Sequence, residues 1–420
     1  MSEEQVPSRP GQGAAYAVLV LTSMNLLNYV DRWVPSAVKE KLKEDEQLQL
    51  DDAQTGFIFT SFIVVYMLAS PLFGALADKG PRRLLIGLGV AVWSLATAAA
   101  AFATGFWTLL MARAMVGVGE AAYATIAPSL IADFYPPARR NRVMTIFYVV
   151  IPIGAALGFT LGGHLGEAYG WPQAFLVCGL PGLLVACSAL LMRDPGRGTF
   201  EDPAARAMPP PGWGEALRTM FASRTYLFAV GGYIAVTWGT GGMGDWFVTF
   251  LTRERGMGLG QAGTWVGTVT AVGGLCGTAC GGLLADRLRG RTRQPYLALA
   301  GLSMIPAALA ALLALQVQDP TTCVALIAVA QFFLWFYNGP INALIANSVP
   351  GAILARAFAV SILLIHLLGD AVSPPIIGAI SDATGDLPLA LLTVPLALGV
   401  GASIWVAGWR LAPEPPGAGS

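Results

Sequence analysis

Six ionisable side chains lie in stretches of sequence that are otherwise apolar. They are Asp31, Arg32, Arg113, Glu120, His366 and Asp370. If these stretches cross a membrane, a charge near the bilayer centre costs at least about 2.5–3.5 kcal/mol, so each residue needs a partner or a task. Carboxylates and imidazole exchange protons, whereas arginine binds carboxylates and phosphates through paired hydrogen bonds. The set therefore predicts a site for protons and for an anionic group.

Arg113, Gly117 and Glu120 follow one another at i, i+4 and i+7 and so share one face of a helix. A medium of low dielectric favours the neutral form of a carboxylate, which makes Glu120 a candidate proton carrier. A permanently protonated Glu120 that is hydrogen-bonded to a neighbour is the alternative. Glycine at 117 allows a neighbouring helix or a ligand to come close.

Asp31 and Arg113 lie at similar depths in their segments, so we expect them to form an ion pair. Arg32 points about 100° away from Asp31 around the helix and is expected to reach outer water or a substrate anion. Asp31 and Glu120 are the predicted coupling pair for protons. The alternative is that the Asp31–Arg113 pair only holds two helices together.

His366, Asp370 and Ser373 share a face of a later segment. A buried histidine is either a satisfied hydrogen-bonding residue or a group that exchanges protons, and Asp370 one turn away keeps the second reading open. Pro374 and Pro375 are expected to break this helix.

Aromatic and polar residues in two other segments are candidates for lining a cavity. Together with Ser373 they are Trp238, Trp246, Phe336, Tyr337 and Asn338. Aromatic side chains in membrane helices also commonly pack or face lipid, so packing remains the alternative for each.

The composition indicates which elements position these residues. Hydrophobic residues make up 55% and charged residues 12% of the 420 residues. A spanning helix needs about 20 mostly apolar residues. Twelve segments qualify: 14–36, 53–77, 83–103, 106–132, 143–168, 172–192, 224–250, 261–285, 295–316, 321–346, 356–380 and 387–410. We predict an all-α membrane protein, and the net charge of zero gives a nucleic-acid partner no electrostatic basis, so none is expected.

The chain divides into two similar halves. Residues 1–192 and 224–420 each hold six segments, and 193–223 form a linker rich in proline (Pro203, Pro209, Pro210 and Pro211). The run Gly74-Ala75-Leu76-Ala77-Asp78-Lys79 returns 208 residues later as Gly282-Leu283-Leu284-Ala285-Asp286-Arg287. Two six-helix bundles related by pseudo-two-fold symmetry are typical of alternating-access carriers.

Lysine and arginine predict the orientation. Eighteen lie on the side of the linker and both termini, including Arg9, Arg206 and Arg289, and five lie on the other side. Basic residues favour the cytoplasm, so both termini are expected there, in an inner (cytoplasmic) membrane. Asp51, with Gln54 three residues later, is the expected N-cap of the second segment on the outer side.

The run Gly74-x-Leu76-Ala77-Asp78-Lys79-x-x-Arg82-Arg83 resembles the loop signature of the major facilitator superfamily. Three further runs resemble the Spinster-like transporters within it, where lysolipids and sphingosine-1-phosphate are carried. They are Asn28-Tyr29-Val30-Asp31-Arg32, Arg113-x-x-x-Gly117-x-Gly119-Glu120-Ala121 and His366-Leu367-Leu368-Gly369-Asp370-Ala371-Val372-Ser373-Pro374. The resemblance implies a cytoplasmic gate formed by Asp78, Lys79, Arg82, Asp286, Arg287 and Arg356.

By this resemblance, the chain is a proton-coupled secondary transporter for an amphipathic, lipid-like or phosphate-bearing molecule, acting as a monomer without cofactor or metal. Asp78 is expected near the start of the eleventh segment, by Arg356. Gly154-x-x-x-Gly158-x-x-x-Gly162-Gly163 resembles the antiporter motif of the superfamily, with close packing as the alternative. A drug or sugar-phosphate exporter is the second transport hypothesis. A lipid hydrolase is disfavoured, because the two histidines are far apart and no G-x-S-x-G run is present.

Overall fold

The computed structural model describes residues 10–197, 199, 212–288 and 291–413. Within this part of the chain, eighteen α-helices are found: α1 (Ala14–Ala37), α2 (Lys39–Lys43), α3 (Asp52–Lys79), α4 (Arg82–Ala100), α5 (Phe106–Phe134), α6 (Pro137–Tyr169), α7 (Trp171–Gly179), α8 (Pro181–Leu190), α9 (Trp213–Ala222), α10 (Arg224–Arg255), α11 (Leu259–Leu288), α12 (Pro295–Gln316), α13 (Pro320–Leu334), α14 (Asn338–Asn347), α15 (Leu354–Ile365), α16 (Ser373–Thr384), α17 (Leu387–Leu391) and α18 (Thr393–Leu411). The linker prolines and Arg9, Arg206 and Arg289 lie outside the described residues.

Within the described ranges, ten helical stretches are long and apolar enough to cross a membrane. Helices α1 and α10, with 24 and 32 residues, are also long enough at about 1.5 Å per residue, but they are less apolar. In α1 the difference comes from Asn25, Asn28, Asp31 and Arg32. The two helices complete the twelve predicted spans, and the polar side chains that lower their hydropathy include candidate site residues.

Contacts between residues divide the chain into two compact units. The first comprises Met1–Leu50 and Ser61–Pro209, and the second comprises Asp51–Thr60 and Pro210–Ser420. The first turns of α3 thus belong to the second unit. Asp51 and Gln54 form the expected cap there, because Asp51 Oδ1 accepts from the Gln54 N–H at 2.6 Å and Gln54 Oε1 accepts from the Asp51 N–H at 3.1 Å.

Glycines set the close packing of the first unit. A Cβ on Gly154 or Gly158 would lie 2.7 or 2.6 Å from a carbonyl oxygen of α1, so α6 lies against α1 backbone to backbone. In α5, a Cβ on Gly117 would lie 2.5 Å from the Phe62 carbonyl oxygen of α3. Small residues at these positions fix the rotation of α1, α3 and α5 and thereby the directions of their polar side chains.

The second unit contains two interrupted spans. A 3-10 turn, Trp335–Tyr337, separates α13 from α14, and a π-helical turn, His366–Asp370, separates α15 from the break before α16. Pro374 and Pro375 at the start of α16 have no N–H to donate, which accounts for the predicted break. Such turns re-aim side chains within a span.

Candidate functional site

The centre of the first unit holds an ion pair between α1 and α5. Arg32 Nη2 donates to Glu120 Oε2 at 2.8 Å. The side chain of Glu120 is fully buried, whereas that of Arg32 remains 20% exposed. Glu120 Oε1 has no hydrogen-bond partner in the part of the chain that the structure describes. The buried carboxylate is therefore paired with an arginine that keeps partial exposure.

Aromatic rings surround the Arg32 guanidinium. Its Cζ lies 4.6 Å from the ring centroid of Tyr29, 4.9 Å from that of Phe62 and 5.8 Å from that of Tyr66. These distances are in the range of cation–π contacts, which are strongest where water is excluded. Phe62 and Tyr66 were not predicted; they lie at i and i+4 on α3, and this spacing is the sequence signal that could have marked them.

Arg113 is fully buried beside this pair. Its Cζ lies 5.5 Å from the Phe62 ring, and none of its three guanidinium nitrogens has a hydrogen-bond acceptor among the described residues. Buried guanidinium groups in folded proteins are normally hydrogen-bonded. Arg113 is therefore a binding element whose hydrogen-bonding capacity is unused by the described residues.

Asp31 faces the interior of the first unit. Its Oδ2 accepts a long hydrogen bond, 3.5 Å, from Thr97 Oγ1 of α4, and its Oδ1 has no partner. Asp31 and Arg113 do not form the expected ion pair: among the described residues no Arg113 nitrogen has an acceptor, and the one hydrogen-bonded oxygen of Asp31 is held by Thr97. The ion pair of this region is instead Arg32–Glu120. Similar depth in two helices did not decide the partner, because helix rotation selects which side chains meet.

The second unit holds the other predicted proton site. His366 Nδ1 lies 2.9 Å from Asp370 Oδ1 and 3.0 Å from Oδ2, across the π-helical turn. Ser373 is fully buried, and its hydroxyl has no partner. A Cβ on Gly241 of α10 would lie 2.6 Å from Asp370 Cβ and 2.7 Å from Ser373 Oγ. His366, Asp370 and Ser373 therefore lie along α10, as a histidine–carboxylate pair with a nearby hydroxyl.

The cavity-lining candidates differ in their surroundings. Phe336 packs in an aromatic cluster with Phe332 and Phe333, and Trp246 is fully buried, with its indole N–H donating to the Pro374 carbonyl at 3.1 Å. The packing role that the sequence left open describes these two.

The other three candidates have varied environments. Tyr337 is buried between Tyr233 and Trp405, at centroid distances of 5.1 and 5.4 Å. Asn338 accepts from Asn342 through its carbonyl at 2.7 Å. Trp238 is half-buried.

A polar cluster at the start of α3, within the second unit, was not predicted. Arg253 donates to both oxygens of Asp52, at 2.8 and 2.9 Å, and Ser381 Oγ donates to Asp52 Oδ2 at 2.6 Å. Asp382 accepts from the N–H groups of Asp52 and Ala53 at 3.0 and 2.8 Å. The members are up to 330 residues apart, so no local spacing marks them.

The basic loop residues of the resemblance have separate partners. Arg82 binds Asp133 and, at 2.5 Å, Asp194, while Arg83 donates to the Met192 carbonyl at 3.2 Å. Arg82 thus ties α4 to α5 and to the segment after α8.

The remaining gate candidates lie at helix ends. Asp78 and Lys79 are exposed at the end of α3, and Asp286 and Arg287 are exposed near the end of α11. Arg356 lies over the Trp213 ring, with its Cζ 4.9 Å from the centroid. The gate role and the Asp78–Arg356 proximity stay predictions.

Comparison with known proteins gives a consistent assignment. The family model described as Major Facilitator Superfamily matches residues 21–374. Protein spinster homolog 1 of Homo sapiens is 34% identical over 402 residues, covering 89% of this chain and 74% of the relative. The sphingosine-1-phosphate transporter SPNS2 of Danio rerio is 30% identical, covering 89% and 79%.

A solved structure of a bacterial homolog to human lysosomal transporter, Spinster, in an inward-facing and unoccupied conformation, superposes with a TM-score of 0.81 at 24% identity. The superposition covers 95% of this chain and 96% of the chain in that structure. The likeness supports the twelve-helix fold. The chain therefore belongs to the major facilitator superfamily and, within it, to the Spinster transporters, as a multi-pass membrane transporter that is not an enzyme.

Proposed function

We propose that the chain is a proton-coupled carrier of an amphipathic molecule with an anionic, phosphate-bearing head, working by alternating access. The observation that carries the proposal is the Arg32–Glu120 pair beside an Arg113 that has three unpartnered nitrogens. An oxyanion matches this need, because guanidinium groups bind phosphate through paired hydrogen bonds. The SPNS2 relative, named for sphingosine-1-phosphate transport, supports a substrate of the same chemistry.

The charges of the site couple the anion to a proton. Asp31, Arg32, Arg113 and Glu120 sum to zero when all are ionised, and to +1 when Glu120 takes up a proton. Protonation also frees Arg32 from its carboxylate. By linkage, a proton and an anion then each increase the affinity for the other. This coupling favours movement of both together.

The glycine motif on α6 resembles an antiporter motif and so predicted antiport, in which proton and substrate move in opposite directions. Gly154 and Gly158 are accounted for by their contact with α1. The motif therefore adds no support to antiport. His366 and Asp370 form a second candidate proton site, and the gate residues, an inner-membrane location and cytoplasmic termini are retained from the charge pattern and the resemblance.

Flux into proteoliposomes tests the proposal. We expect sphingosine-1-phosphate or a lysophospholipid to accumulate when a pH gradient is imposed, and Glu120→Gln to lose at least about tenfold of this driven flux, one decade being about 1.4 kcal/mol. The control Glu46→Gln changes an exposed carboxylate in an outer loop of the first unit and should transport normally. Equal driven flux for Glu120→Gln and the wild type would contradict the proposal.

The need for an acyl tail on the substrate distinguishes the proposed lipid carrier from a sugar-phosphate or drug exporter. For the proposed substrate, removing the acyl tail while keeping the phosphate head abolishes competition with the lipid. Full competition by a tailless sugar phosphate would favour the exporter.

A further inference from the structure

An open groove of about 480 Å³ lies on the surface of the second unit, between the first turns of α10 and the last turns of α18. Its walls are apolar, formed by Leu227, Phe228, Ile404 and Leu411, and the one charged lining residue is Arg224. The volume is within the range of small-molecule sites. None of the substrate-site or gate residues lines this groove.

Two glycines, which have no side chain, shape the groove. A Cβ on Gly408 would lie 2.8 Å from Phe228 Cβ, so α18 closes onto α10 at this point. A Cβ on Gly231 would lie 3.7 Å from Ile404 Cγ2, so its absence leaves room beside the apolar wall. The groove is therefore built into the packing of two spanning helices.

The position of the groove relates it to the membrane surface. Arg224 is the first residue of α10, and Leu411 is the last residue of α18. Ile404 lies seven residues before Leu411, about 10 Å deeper at 1.5 Å per residue. This depth is about a third of the 30 Å hydrocarbon core. The groove runs from the level of the headgroups into the upper part of the acyl chains.

Helix α9 also indicates that the mouth of the groove lies at the level of the headgroups. Trp213 and Phe221 are both more than half exposed on this short helix directly before Arg224. Exposed tryptophan and phenylalanine on an amphipathic helix are typical of the membrane interface. We therefore expect Arg224 to lie at the level of the lipid phosphates.

No described residue compensates the charge at the mouth. Among the described residues, Arg224 has no hydrogen bond or ion pair, and the N-terminus of α10 adds a partial positive charge. Arg410, adjacent to Leu411, is exposed too. A ligand that complements this site has a negative head and an apolar tail.

We propose that the groove binds one anionic phospholipid of the surrounding bilayer, with its phosphate at Arg224 and one acyl chain along Leu227, Phe228 and Ile404. The site differs from the proposed substrate site because it lies on the surface of the second unit and not in the interior of the first. Bound lipid would join the ends of α10 and α18.

Native mass spectrometry of the purified, delipidated full chain tests the site, with phosphatidylglycerol and phosphatidylcholine added separately. We expect the wild type to bind phosphatidylglycerol about fivefold more tightly than phosphatidylcholine, because one arginine near the surface attracts the anionic headgroup. Arg224→Gln should lose this preference and Arg224→Lys should keep it. The matched control Arg142→Gln removes an exposed arginine of the first unit and should keep it.

Two further arms test the tail. Ile404→Trp fills the groove and should weaken phosphatidylglycerol binding, whereas free glycerophosphoglycerol should not compete with the lipid. The proposal is overturned by equal binding of both lipids to the wild type, by an equal loss in Arg142→Gln, by unchanged binding in Ile404→Trp or by competition from the free headgroup.

Discussion

Two buried charge clusters among the described residues, one around Asp52 and one around Glu120, differ in how completely their polar atoms are bonded. In the second unit, both oxygens of Asp52 accept from Arg253, and Ser381 adds a third bond. In the described part of the first unit, Glu120 has one unpartnered oxygen and Arg113 has no acceptor. A saturated cluster has no remaining capacity for a ligand, whereas an unsaturated buried cluster retains it at a cost in stability.

The comparison separates a structural role from a functional one. The Asp52 cluster fixes the start of α3 against α16, where a Cβ on Gly378 would lie 2.3 Å from the Asp52 carbonyl oxygen. The Arg32–Glu120 pair has an aromatic wall and partial access through Arg32. Charge burial alone does not distinguish the two regions, but the count of unmet hydrogen bonds does.

The largest expected effect comes from replacing the same residue type in each region. Arg253→Met should lower the free energy of unfolding by about 2–3 kcal/mol, because it leaves the Asp52 carboxylate buried without its cation. Arg113→Met should leave stability unchanged within about 1 kcal/mol or raise it, because a buried guanidinium without acceptors contributes no hydrogen bonds. Denaturant unfolding in detergent measures both.

Transport measured on the same two proteins completes the test. Arg113→Met should lose substrate binding while remaining folded. If Arg113→Met unfolds as readily as Arg253→Met, the distinction between a structural and a functional cluster fails.

A smaller effect is expected at the backbone contact of the saturated cluster. Gly378→Ala should destabilise by about 1–2 kcal/mol, because the new Cβ overlaps the backbone of Asp52. Gly399→Ala is the matched control, since a Cβ there meets nothing within 4 Å. Unfolding curves should separate the two variants, and equal curves would show that α3 and α16 do not pack this closely.

The smallest effect concerns a satisfied carboxylate near the surface. The pKa of Asp45 is lowered because the Trp171 indole N–H donates to it at 2.9 Å, with further help from the Gln47 and Leu48 N–H groups. A folded-state pKa below the unfolded value means that the ionised form stabilises the fold above about pH 4, and that this stability is lost as the pH falls through the folded value.

Asp45→Asn should therefore cost less than about 0.5 kcal/mol at neutral pH, since the group is largely solvated. The difference from the wild type should shrink in acid. Unfolding at neutral and at acid pH measures it, and a difference that grows on acidification would reverse the sign assigned here.

The features that could be predicted from the sequence are those that depend on local or periodic patterns of residues. Segment lengths gave the twelve spans, and the Asp51–Gln54 cap followed from a spacing of three residues. The shared face of Arg113 and Glu120 followed from helical periodicity. These features need no knowledge of how helices pack.

The partners of the buried charges could not be predicted in the same way. Arg32, rather than Asp31, meets α5, because the contacts of Gly154 and Gly158 set the rotation of α1. Arg253 and Asp52 lie 201 residues apart in the chain, and only the packing of three helices brings them together. Pairing in a bundle depends on helix rotation and register, which depth estimates do not contain.

Ligand affinity as a function of pH tests the central claim most directly, with an anionic lysolipid titrated into the purified wild type and Glu120→Gln. The account predicts that wild-type affinity rises as the pH falls, because protonated Glu120 releases Arg32 and leaves the site with a charge of +1. Glu120→Gln should bind tightly at every pH, like the protonated wild type. A wild-type affinity that is independent of pH, or a variant that keeps the wild-type pH dependence, would contradict the account.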